Sequence, residues 1–101
     1  MSDRVTIAAA AYPLDWFDSF EHYESKITRW VADAARQGAQ LLVFPEYAAM
    51  ELASLGGVGI AADLEGALCE VAHHRPAVDA LHVRLAAEHG VHVLGGSGPV
   101  Y

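Results

Sequence analysis

The chain has one cysteine, one lysine and no basic run, and each scarcity removes a class of function. A lone Cys69 excludes an internal disulfide framework and fits a reducing compartment. Six Lys and Arg stand against thirteen Asp and Glu, a formal net charge of −7. Binding a phosphate backbone needs the opposite balance, so nucleic acid is not an expected partner. No apolar stretch approaches the length of a membrane span, and Asp3 and Arg4 lead into a short apolar run unlike a signal peptide. The expectation is an acidic cytoplasmic protein with no membrane partner. No repeat, low-complexity tract or linker divides the 101 residues, which suit one small domain or a portion of a larger one.

What is present is apolar. Hydrophobic residues make up 53% of the chain, but 19 of its residues are alanine, so bulky core side chains are fewer than that fraction implies. Their runs give an α/β order. Residues 5–11, closed by Tyr12-Pro13, read as a first buried strand. Asp18 reads as a helix N-cap, with Glu21 completing a capping box. Tyr23, Ile27, Trp30, Val31 and Ala34 recur as one apolar helical stripe, with Lys26, Arg29, Asp33 and Arg36 assigned to the polar side. Gly38 stops that helix, and residues 41–44 read as a strand buried on both faces. Strand, helix, strand predicts parallel pairing through a right-handed crossover.

Farther along, residues 47–55 suit a short helix, 56–59 a glycine-rich loop, and 60–73 a weakly patterned helical stretch. Pro76 fits the first turn of another helix, with Val78, Leu81, Leu85 and Ala86 on its apolar face and Gly90 at its end. Residues 91–94 form a third strand, followed by Gly95-Gly96-Ser97-Gly98-Pro99.

The stretch with the most chemical content is Leu41-Leu42-Val43-Phe44-Pro45-Glu46-Tyr47. Pro45 cannot donate to a ladder and ends the strand, leaving Glu46 just past its carboxyl end. Open α/β sheets place their ligands there. A carboxylate among apolar neighbours loses hydration, which raises its pKa toward the range useful for a general base.

The strand Val5-Thr6-Ile7-Ala8-Ala9-Ala10, the helix end Ala34-Ala35-Arg36-Gln37-Gly38-Ala39-Gln40, the Leu41–Tyr47 string and the final Val91-His92-Val93-Leu94-Gly95-Gly96-Ser97 together resemble the start of the nitrilase superfamily, the carbon–nitrogen hydrolases. The resemblance spans nearly the whole chain, although Tyr12 stands close to where many relatives have a glutamine. It implies the N-terminal part of an αββα sandwich, so that residues 1–101 would be a partial hydrolase domain. It also implies a Glu-Lys-Cys triad, of which Glu46 matches the glutamate. The lysine and cysteine lie farther along in family members, so this portion alone is expected to be inactive. The implied substrate is a small amide, nitrile or carbamoyl compound, with no cofactor and with homo-oligomers of the full-length protein.

Several other residues are weighed against this reading. Lys26 precedes the glutamate, against the triad's chain order, and is placed on the first helix's polar flank. Cys69 has no nucleophile pattern around it and reads as a small packed hydrophobe. The six histidines, with His73 and His74 expected to point apart, show no metal-ligand spacing. Gly56 to Gly59 and Gly95 to Pro99 lack the ending of a phosphate loop. Trp16, Phe17 and Phe20 suit packing at the helix entry. Glu51 either lines the same site as Glu46 or solvates a helix. A non-catalytic α/β module that binds a ligand or partner is the second function class.

Overall fold

Two glycines turn the chain from helix into strand. Gly38 and Gly90 have φ of +85° and +64°, the left-handed backbone that ends a helix without a Cβ penalty. The structure is a computed structural model that describes residues 4–95, apart from the side chain of Glu46. Its elements run β1 (Ile7–Ala9), α1 (Phe20–Arg36), β2 (Leu41–Val43), a 3-10 helix (Glu46–Gly56), α2 (Val58–Ala61), α3 (Leu64–His89) and β3 (His92–Leu94). The strands form one parallel sheet in the order β1-β2-β3, with Ile7 beside Leu41 and Leu41 beside His92. The expected α/β class and parallel pairing are therefore present, with β2 in the middle.

The register sorts the sheet's side chains by face. Ala8, Leu42 and Val93 point into the core, and Leu42 is among its most buried side chains. Ile7, Ala9, Leu41, Val43, His92 and Leu94 share the other face, where Ile7 and Leu94 are 58% and 57% exposed. The expectation that β1 is a buried strand fails on that face, as does burial of β2 on both sides. Both faces are apolar in composition, yet α1 and α3 supply core residues to only one of them.

Three helix boundaries differ from the sequence reading. Ser19, not Asp18, caps α1: its backbone is extended and its Oγ accepts from the His22 N–H at 3.4 Å. Asp18 lies one residue too early to reach that donor, which dissolves the expected capping box. Residues 58–61 form a helical turn that begins inside the expected loop. Pro76 lies within α3 rather than at its start. A mid-helix proline costs about 3 kcal/mol through its missing N–H and ring clash. Ala67 and Val71 before it and Val78, Leu81 and Leu85 after it are all buried on one stripe, and that packing carries the helix through. Asp63 caps this longer helix, its Oδ2 accepting from the Gly66 N–H at 2.8 Å.

Two side chains are also redistributed. Cys69 is exposed, because it projects from α3 opposite the stripe of Ala67 and Val71, so it is not a packed hydrophobe. Trp16 is 53% exposed, whereas Phe17 and Phe20 pack their rings against Tyr23.

Candidate functional site

Parallel strands place all three carboxyl ends on one edge of the sheet. Phe44 continues β2 there, its N–H donating to the Leu94 carbonyl at 3.0 Å. Pro45 then leaves the ladder with φ −68° and ψ 155°, and Glu46 opens the 3-10 helix. The main chain of Glu46 thus stands where the sequence reading puts it, at the carboxyl end of the central strand. Its side chain is outside the described structure, as are Gly96 to Pro99.

Beside this edge lies a buried ionic cluster that the sequence reading missed. Lys26 is not on a polar flank; its side chain is 5% exposed and that of Glu51 is 0%. Lys26 Nζ lies 2.7 Å from Glu51 Oε2 and 2.9 Å from Asp15 Oδ2, and it donates to the Pro13 carbonyl at 2.5 Å. It also stands 3.8 Å from the centre of the Tyr12 ring. An ammonium has three hydrogens, and these three oxygens match them in number. Glu51 is equally well matched: Tyr12 Oη donates to Oε1, and the Asp15 N–H donates to Oε2 at 3.1 Å. Ser54 adds a second stitch, its Oγ accepting from the Phe17 N–H at 2.9 Å and donating to the Glu51 carbonyl at 2.7 Å. The cluster ties the β1–α1 loop, α1 and the 3-10 helix together.

A signal for Lys26 was present. It stands three residues after Tyr23 and four before Trp30, which places it inside the apolar stripe. The polar assignment followed residue type instead of angle. For Glu51, the structure decides between the open readings: it neither lines open space nor solvates a helix, but sits fully enclosed.

Burial pushes the Tyr12 hydroxyl well above its ordinary pKa, and the hydrogen bond and charge of Glu51 push it further. Tyr12 therefore stays protonated and remains a donor. Tyr23 is raised by burial, with Glu51 adding to it. On α3, His82 is lowered by burial, with Asp79 opposing. Its ring stacks on Phe44 with centroids 6.0 Å apart. Gly95 passes so close that an added Cβ would lie 2.7 Å from His82 Cε1. A neutral imidazole thus backs the ends of β2 and β3.

The cluster has one wet end. A cleft of about 480 Å³ is lined by Asp15, Trp16, His22, Ser25, Lys26 and Arg29, and the Asp15 side chain is 54% exposed. The other histidines form local contacts: His74 Nε2 lies 2.6 Å from Glu70 Oε2, and the rings of His73 and His74 meet edge-on at 5.1 Å, contrary to the expectation that they point apart. Among the described residues, no group of three or more His, Cys, Asp or Glu could hold a metal, and no helix is long and apolar enough to cross a membrane. Comparison with family models, curated proteins and solved structures gives no match for this chain.

Proposed function

We propose that the chain is the N-terminal portion of a nitrilase-type carbon–nitrogen hydrolase, an αββα sandwich enzyme acting in the cytoplasm on small amides, nitriles or carbamoyl compounds. The observation that carries this reading is the position of Glu46, first residue of the helix that follows the central parallel strand. A residue whose main chain is held there is fixed by the ladder behind it and stands at the edge where such sheets bind ligands.

In the proposed chemistry on an amide or carbamoyl substrate, Glu46 accepts the proton of a cysteine thiol, and the thiolate attacks the substrate's carbonyl carbon. A lysine ammonium and backbone N–H groups stabilise the charge on oxygen. The amine leaves with a proton returned by the glutamate, giving an acyl-thioester. Water activated by the same carboxylate then releases the acid and restores the thiol. Lys26 is not that lysine, because its hydrogens are directed at Glu51, Asp15 and Pro13. The catalytic lysine and cysteine belong to chain outside these 101 residues in this reading, and the full protein is proposed to form homo-oligomers.

Reading the coding sequence past Tyr101 tests the assignment most cheaply. A lysine followed by a cysteine at a strand-to-helix turn supports it, and an immediate stop codon favours a non-catalytic binding module. In a protein carrying all three groups, Glu46→Gln is expected to lower turnover by more than about 10²-fold, the scale of a lost general base. Turnover within a few-fold of the parent, in a folded variant, removes Glu46 from the mechanism.

A further inference from the structure

We propose that Lys26 and Glu51 are positioning residues for Glu46: their buried pair, with Tyr12, clamps the 3-10 helix that begins at Glu46 against the β1–α1 loop. The inference rests on the reading of Glu46 as the general base and adds how that residue is held.

The need for a clamp follows from the helix itself. Eleven residues is long for 3-10 geometry, whose hydrogen bonds are poorly aligned and whose runs are normally three or four residues. Pro45 precedes it without any side-chain cap, so locally its first turn rests on the main-chain bond from the Ala48 N–H to the Pro45 carbonyl at 3.0 Å. The rest of its hold must come from tertiary contacts. Leu52 and Ala53 supply apolar packing, which holds a segment down but tolerates small slides. Glu51 supplies direction, because its carboxylate is gripped by Lys26 of α1, by the Tyr12 hydroxyl and by the Asp15 N–H. Five residues at about 2 Å of rise put Glu46 roughly 10 Å from Glu51 along the axis. The clamp therefore acts at a distance along the helix from the main chain of the proposed proton acceptor.

The same contacts reach the neighbouring strand. Tyr12 and Asp15 follow β1, so the cluster couples the carboxyl ends of β1 and β2. The Tyr12 ring also packs edge-on against Phe44 with centroids 5.3 Å apart, two residues before Glu46. Hydrogen bonds and ring contact thus converge on the short segment that carries the carboxylate.

The test separates positioning from plain stability. A Lys26→Met/Glu51→Leu pair replaces two buried charges with apolar side chains, which commonly restores stability but restores no directional bond. The readouts, on the chain of 101 residues, are amide hydrogen exchange of the 3-10 helix and the NMR titration of the Glu46 carboxyl group. The expected result is a thermal midpoint near the parent's, with exchange at residues 46–51 at least tenfold faster and a displaced Glu46 titration. Parent-like exchange and titration in that variant overturn the proposal, as does a parent chain whose helix amides exchange like an unstructured peptide. If the double variant does not fold, Tyr12→Phe decides: removing one hydroxyl must speed exchange at residues 46–51, and unchanged exchange overturns the clamp. Failure of Glu46 as a base is a separate result, read from Glu46→Gln turnover, and leaves the exchange outcome standing.

Discussion

Among the ion pairs that tie α1 to other elements, two perform the same task in opposite surroundings. Lys26 joins α1 to Glu51 of the 3-10 helix at 2.7 Å, and Glu24 joins it to Arg84 of α3 at 2.9 Å. Distance hardly distinguishes them. Their partners do: the first pair is 5% and 0% exposed, the second 50% and 38%. Water already solvates Arg84 and Glu24 when they are apart, so pairing gains little. Lys26 and Glu51 have no water to return to, so each depends on the other and on the bonds around it. One pair is interchangeable and the other is built in.

The sharpest way to break the comparison is to remove one buried partner. Glu51→Leu leaves the Lys26 ammonium enclosed with a missing acceptor and is expected to cost about 3–5 kcal/mol, measured by denaturant unfolding. Adding Lys26→Met should recover most of that loss. A single variant that unfolds within 1 kcal/mol of the parent, on the scale of a surface pair, would mean that water reaches the cluster. Tyr12→Phe comes next. It deletes the donor to Glu51 Oε1 while keeping the ring against Trp30 and Phe44. A loss of about 1.5–3 kcal/mol is expected for a hydrogen bond to a charged group.

The two pairs also show what could be read from the sequence. The strand-helix-strand start, its parallel pairing and the main-chain position of Glu46 are legible because each depends on local signals, namely an apolar run, a helical stripe, a glycine stop and a proline break. Gly38 and Gly90 end their helices as expected. The ionic cluster was illegible as a cluster because Tyr12, Asp15, Lys26, Glu51 and Ser54 meet only after the sheet forms. Lys26 is hard to read for a simpler reason, since its charge argues for solvent while its position puts it in the apolar stripe. Pro76 misled in the reverse direction: a local rule predicted a boundary, and packing on both sides of it carried α3 through. The exposed sheet face escaped as well, because apolar composition does not say which face receives the helices.

A smaller effect comes from a group that remains uncharged beside the same strand ends. His82 is held below its ordinary pKa of 6.5 by burial, with Asp79 opposing. The unfolded chain therefore binds this proton first as pH falls. Stability from neutral His82 is complete above about 6.5 and declines as pH drops through that value toward the lower folded pKa. His82→Gln is expected to flatten the decline between pH 7 and 5, measured by urea midpoints. The slope carries the information, since losing the stack on Phe44 lowers the absolute value at every pH. An unchanged slope would show that His82 does not carry the acid loss.

The smallest expected effect sharpens the comparison most cleanly. Arg84→Gln removes the surface pair with Glu24 and weakens a 3.9 Å contact with Glu88 on the same helix. All three side chains are substantially exposed, so the loss should stay below about 1 kcal/mol. Salt then separates the two kinds of pair. At 1 M ionic strength the screening length falls to about 3 Å, comparable to the gap between exposed charges, and the cost of Arg84→Gln should shrink toward zero. Lys26 and Glu51 are enclosed except at the Asp15 end of the cluster, so the cost of Glu51→Leu should change much less over the same range. Unfolding midpoints of both variants against the parent, at low and high salt, read this directly. Equal salt dependence would show that enclosure does not distinguish the pairs, and the buried cluster would then hold the strand ends no more firmly than a surface contact does.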